Sequence, residues 1–79
     1  MVNRKVTIYS TPSCPFCMMT KRFMKENNID FEDIDVSTDQ AKAQEMVRKS
    51  GRMAVPIVDI DGEIIVGFDK GRIRKALGL

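Results

Sequence analysis

The chain has 79 residues, enough for one small domain with a modest core. Apolar residues make up 43% of it and charged residues 30%, the balance of a folded globule and not of a disordered chain. Thirteen basic and eleven acidic residues leave a net charge of +2, too little to argue for nucleic-acid or membrane binding, and no apolar run approaches the ~20 residues that span a bilayer.

Met1-Val2-Asn3-Arg4-Lys5 leads straight into a strand-like run and lacks the apolar centre of a secretory signal. The chain is therefore expected in the cytoplasm, as a monomer, where structural disulfides are rare. Lys5-Val6-Thr7-Ile8-Tyr9 alternates and is rich in β-branched residues, which predicts a first strand. Residues 10–13 form a loop. A helix is expected from Pro15 to about Asn27, because proline suits a first helical position and Phe16, Met19, Phe23 and Met24 recur at helical spacing.

Residues 29–36 read as a second strand whose apolar parity slips between Phe31 and Ile34. Ser37 and Gln40 have the spacing of a capping box, so a second helix is expected to run to about Lys49 and to end at Gly51. Ile57-Val58-Asp59-Ile60 and Glu63-Ile64-Ile65-Val66 flank Asp61-Gly62, a strong hairpin signal. Asp69 caps a last helix with Ile73, Ala76 and Leu77 on its inner face. The order β-α-β-α-β-β-α implies an α/β fold: a parallel β-α-β unit, an antiparallel hairpin, and a four-stranded mixed sheet with helices on both faces. The whole chain, residues 1–79, reads as a single domain.

Both cysteines lie in Cys14-Pro15-Phe16-Cys17, and there is no histidine. A Cys-x-x-Cys pair at a helix start suits two-electron thiol–disulfide chemistry. The attacking species is a thiolate, and the unpaired N–H groups and positive dipole end of a helix favour negative sulfur at Cys14. Cys17 falls one turn on, on the same face, where it can resolve a mixed disulfide. Cys14 is thus the expected nucleophile and Cys17 the resolving thiol. A zinc site asks for four ligands, and two cysteines supply half of one, so no metal is expected.

This arrangement resembles the thioredoxin superfamily and, within it, a short glutaredoxin-like protein. The likeness rests on Thr11-Pro12-Ser13-Cys14-Pro15-Phe16-Cys17, similar to the glutaredoxin C-P-[YF]-C site, on Val55-Pro56 before the hairpin, and on the absence of the tryptophan of a thioredoxin W-C-G-P-C. The resemblance implies a dithiol–disulfide oxidoreductase with a cis Pro56 facing the cysteines. It implies that Val55 offers its backbone to an extended disulfide-containing protein or to glutathione, and that Pro15 and Phe16 border the substrate. Gly67, Phe68 and Asp69 stand where glutathione-using relatives carry a second glycine in place of Phe68. Phe68 is expected to hinder the γ-glutamyl end of glutathione. Gly67-Phe68 instead resembles redoxins that serve ribonucleotide reductase and are reduced by thioredoxin reductase. The implied external reductant is glutathione or a thioredoxin reductase, and no cofactor is expected to stay bound. A glutathione-dependent iron–sulfur carrier and a non-catalytic thiol binding module are the alternatives.

Other residues carry weaker expectations. Tyr9 and Phe16 are candidates to border a substrate groove, and Arg52 to meet a glutathione carboxylate. Lys21 and Arg22 lie either on a solvated helical face or where they steer acidic partners. Met53 lies close to Pro56 in sequence, while the other methionines suit gap-filling in the core. Asp30, Glu32, Asp33 and Asp35 suit an edge strand whose charges discourage aggregation.

Overall fold

The computed structural model describes residues 4–79, so the reading of the first three residues lies outside it. Four strands and three helices follow in the expected order: β1 Val6–Ser10, α1 Pro15–Glu26, β2 Glu32–Asp35, α2 Gln40–Ser50, β3 Ile57–Ile60, β4 Glu63–Val66 and α3 Lys70–Leu77. The sheet order is β2-β1-β3-β4. β1 runs parallel to β2, with Thr7 opposite Glu32 and Tyr9 opposite Ile34. It runs antiparallel to β3, which in turn pairs antiparallel with β4.

Strand alternation splits the core in two. Val6, Ile8, Val58, Ile60 and Ile65 face Phe23 and Met24 of α1 and Ile73, Ala76 and Leu77 of α3. Tyr9, Ile34 and Ile57 face Met46 of α2 on the other side. Every residue of β1 is buried, as its central place demands. At the hairpin, Asp61 and Gly62 both take positive φ (51° and 94°), the pair of conformations a two-residue turn between twisted strands requires.

Two local readings are corrected. β2 is half the expected length. Asn28 turns the chain at φ 57°, and the Ile29 N–H donates to the Met24 carbonyl at 2.9 Å. Ile29 therefore closes α1 and enters the core instead of opening a strand. This turn is the source of the parity slip. The second correction concerns α2: its cap is Asp39, whose carboxylate accepts the Lys42 N–H at 3.1 Å. Ser37 is engaged elsewhere, donating its own N–H to the Asp35 carboxylate at 2.9 Å. The aspartate wins because it offers a charged acceptor at the start of the helical dipole. Gly51 ends α2 in the left-handed conformation, and Asp69 caps α3 by accepting from the Arg72 N–H, both as expected. Among the described residues no helix is long and apolar enough to cross a membrane.

Candidate active site

The site is assembled at one end of the sheet. Tyr9 near the end of β1 pairs with Ile57 at the start of β3. Continuing that register places Pro56 opposite Ser10 and Val55 opposite Thr11. Val66 pairs with Ile57 from the other side, and the Gly67 N–H donates to the Pro56 carbonyl at 2.8 Å. The loop before α1, the Val55–Pro56 turn and the Gly67–Phe68–Asp69 segment thus share one edge of the molecule. Gly67 sits at φ 80°, where a side chain would be strained.

Cys14 is the N-cap of α1, with extended backbone at φ −94° and ψ 111°. Its sulfur accepts the Cys17 N–H at 3.2 Å, one of the amides that a helix start leaves unpaired. Pro15 supplies the fixed φ of the first turn without losing a needed donor. Cys14 is partly exposed, whereas Cys17 is fully buried, and both are free thiols. Burial pushes the Cys17 thiol up to about 11, and the contact with Cys14 adds to the rise, while the Thr11 backbone and the Lys21 ammonium oppose it. The two sulfurs therefore differ in environment: one is open to collision, the other is held neutral beneath it.

Around the pair, Thr11 has a second role. Its carbonyl accepts the Cys14 N–H at 3.4 Å, and its side of the loop lines a groove of about 250 Å³ with Val36, Ala43, Met46, Met53 and Val55. The groove joins the cysteine loop to Val55 without a charged side chain. The reading of the motif did not single out Thr11; only its proximity to Cys14 in sequence marked it. The Val55–Pro56 peptide is cis, as the resemblance implies, and Pro56 is buried. Phe16 stands 59% exposed beside the pair.

Four further residues are placed as follows. The Phe68 ring is partly buried and meets the Phe23 ring edge-on at 6.2 Å between centroids, so α1 holds it. Tyr9 borders no substrate groove near the cysteines: it points into the α2 layer, where its hydroxyl donates to Glu45 at 2.6 Å. Lys21 is neither a plain solvated residue nor a free one. It is paired with Asp33 at 2.8 Å, and the same carboxylate accepts from the Ser10 hydroxyl. Arg52 is exposed and anchors the α2 terminus through its N–H to the Ser50 hydroxyl. Among the described residues no group of three or more Cys, Asp or Glu side chains gathers as a metal site would.

The glutaredoxin family model matches residues 6–65. The chain is 47% identical over 72 residues to an uncharacterised glutaredoxin-like 8.6 kDa protein of the rubredoxin operon of Clostridium pasteurianum, covering 91% of this chain and 96% of that one. It is 34% identical over 64 residues to glutaredoxin 3 of Escherichia coli K12, covering 81% and 77%. Among solved structures, a thioredoxin-like protein superposes with a TM-score of 0.87 at 34% identity, covering 92% of this chain and all of the other. The methanoredoxin of Methanosarcina acetivorans does so with a TM-score of 0.87 at 27% identity, covering 95% and 85%. The fold is thioredoxin-like, the paired cysteines stand at the start of its first helix, and the chain belongs to the glutaredoxin family, whose members are dithiol–disulfide oxidoreductases.

Proposed function

We propose that the protein reduces disulfides of protein or small-molecule substrates through Cys14 and Cys17. The unequal burial of two sulfurs on one helical turn is the observation that carries this reading. The exposed Cys14 thiolate attacks a substrate S–S bond, forms a mixed disulfide and expels the first substrate thiolate, which takes up a proton. Cys17 then gives up its proton, attacks the Cys14 sulfur, closes the Cys14–Cys17 disulfide and releases the second substrate thiol. Two electrons pass from the dithiol to the substrate. Forming the mixed disulfide removes the Cys14 contribution to the raised Cys17 value and so eases loss of the Cys17 proton, while burial, the larger cause, remains.

In this reading Val55, with Pro56 behind it, pairs its backbone with an extended substrate segment, and Pro15 and Phe16 form the opposite rim. Gly67, Phe68 and Asp69 close the third side. The external reductant is glutathione, which glutaredoxins typically use, or a thioredoxin reductase. A buckwheat glutaredoxin of the same fold is known in complex with glutathione. Phe68 in place of a second glycine favours the reductase. The role of Phe68 here is indirect: its ring is committed to Phe23, and it thickens the segment from within.

Replacing Cys14 with serine is expected to abolish steady-state reduction of a model disulfide. Cys17→Ser is expected to leave a mixed disulfide on Cys14 that mass spectrometry detects. Full turnover by Cys14→Ser would refute the assignment. NADPH consumption, coupled once to glutathione with glutathione reductase and once to thioredoxin reductase, identifies the reductant. Exclusive use of glutathione would overturn the meaning attached to Phe68.

A further inference from the structure

The two helices that share one face of the sheet hold most of the positive charge. Together with the cap Asp69, α1 and α3 carry seven of the thirteen basic residues and two of the eleven acidic ones. The rest of the chain is left with six basic and nine acidic residues. A net charge of +2 therefore conceals a strongly basic face and an acidic remainder.

Five of these seven cations are also unspent. Lys21 is paired with Asp33, and Lys70 lies 5.7 Å from the centroid of the Phe23 ring. Among the described residues, Arg22, Lys25, Arg72, Arg74 and Lys75 have no carboxylate within ion-pair distance, and all five are exposed. A solvated helix ordinarily interleaves acids with such a run. α3 has none within its span, and α1 has only Glu26 at its end. The helices are bound into one layer by Phe23, Phe68 and Ile73, so the two sets of cations belong to one surface. Both helices begin at the edge that holds Cys14, and Met18, 61% exposed, links the basic face of α1 to the cysteine turn.

We propose that the α1–α3 face is a docking surface for acidic polypeptide segments that carry a disulfide, and that its field delivers them to Cys14. The proposal rests on the dithiol reading above and adds the charge class of the substrate. A one-signed surface raises the encounter rate of an oppositely charged partner by 10–10³, most strongly at low salt. At physiological ionic strength screening acts over about 8 Å, so only a partner lying along the helices feels the whole field. This favours an acidic chain over a small neutral disulfide.

The test compares two synthetic peptides with the same disulfide loop, one flanked by four glutamates and one by four lysines, alongside a small neutral dialkyl disulfide. The acidic peptide is expected to show kcat/KM about tenfold above the basic one at 20 mM ionic strength, with the preference shrinking toward unity at 0.5 M salt. A quadruple Arg22→Glu, Lys25→Glu, Arg74→Glu, Lys75→Glu variant is expected to reverse the preference and keep its rate on the neutral disulfide. The matching glutamine variant, which avoids acidic charge at the end of α3, is expected to abolish the preference without reversing it. Equal rates on the two peptides, or a preference that salt and both variants leave intact, would overturn the proposal while the neutral substrate still reports the dithiol chemistry. No turnover on any of the three disulfides would overturn both readings. Equal peptide rates with tight binding of a single-stranded oligonucleotide would assign the face to nucleic acid instead.

Discussion

The two faces of the sheet handle charge in opposite ways. Over α2 the charged groups close on one another: the Lys49 ammonium donates to the Tyr9 hydroxyl and to Asp59, each at 2.9 Å, Tyr9 donates to Glu45, and Lys42 lies 3.7 Å from Glu45. They line a cleft of about 490 Å³, yet it opens toward Lys5, Asp61 and Gly62 at the end of the sheet away from Cys14. Over α1 and α3 five of the seven cations face outward without a carboxylate partner. A large, highly charged cleft thus need not mark a functional site; Tyr9, Glu45, Lys49 and Asp59 within it already satisfy one another. Charge left unpaired next to a reactive group is the more informative sign.

Substitutions on each face sharpen the contrast. The largest effect is expected from Phe23→Ala, which empties the α1–α3 core, removes the edge partner of Phe68 and strips Lys70 of its aromatic neighbour. A loss of about 3–5 kcal/mol in a urea titration is expected, from the usual cost of removing a buried aromatic. On the opposite face, Tyr9→Phe keeps the buried ring and deletes a hydroxyl that engages Glu45 and Lys49, so a loss of about 1 kcal/mol is expected. A neutral result would show that the α2 network is not cohesive. By contrast, Arg22→Gln or Arg74→Gln is expected to stay within about 0.5 kcal/mol, because no partner is lost.

The pH dependence divides along the same line. Burial raises the Cys17 thiol to about 11 from an ordinary value of 9.0. A raised folded value means that the native state holds its proton while the unfolded chain has begun to release it. The stabilisation is complete below pH 9 and disappears as pH rises through about 11. Thermal melts of the reduced protein should therefore fall across that window, and Cys17→Ser should flatten the slope. Tyr9, raised chiefly by burial, and Lys49, held above its ordinary range first by the Tyr9 hydroxyl and then by Asp59, add loss in the same direction but survive in that variant. At the acid end the Tyr9 hydroxyl holds the Glu45 carboxyl below its ordinary 4.5. Its contribution is present above that value and is lost as pH falls, so Glu45→Gln should soften the acid limb of the same melts. Asp69→Ala is expected to cost about 1 kcal/mol in the same melts, for a lost helix cap.

The fold was legible wherever the deciding interactions are local. β-branched alternation marked β1, Pro15 marked the start of α1, Asp61-Gly62 marked the hairpin, and Asp69 marked α3. The reading failed at β2 because Ile29, Phe31 and Ile34 look like one apolar run, while a left-handed Asn28 assigns the first of them to the end of α1. It failed at Ser37 because two plausible caps stand two residues apart. The cysteine pair was legible from its spacing, and the cis Val55–Pro56 peptide from the family resemblance. The Tyr9–Lys49 and Lys21–Asp33 contacts were not, since they join residues 40 and 12 positions apart and depend on which strand lies beside which. The charge segregation was equally hidden: the counts were in the sequence, but which helices share a layer was not.

The concentration of every candidate site segment at one end of the sheet has a practical consequence at the other. There the Asp61–Gly62 turn is exposed, tied to Lys5, whose N–H donates to the Asp61 carboxylate and whose carbonyl accepts the Asp61 N–H, to Asp59, whose carboxylate accepts the Gly62 N–H, and to Arg4, 4.0 Å from Asp61. That turn is a natural handle. A reporter or a surface linker inserted there would hold the protein by its back, with the cysteine edge turned outward, so that the redox chemistry can be followed on an oriented molecule.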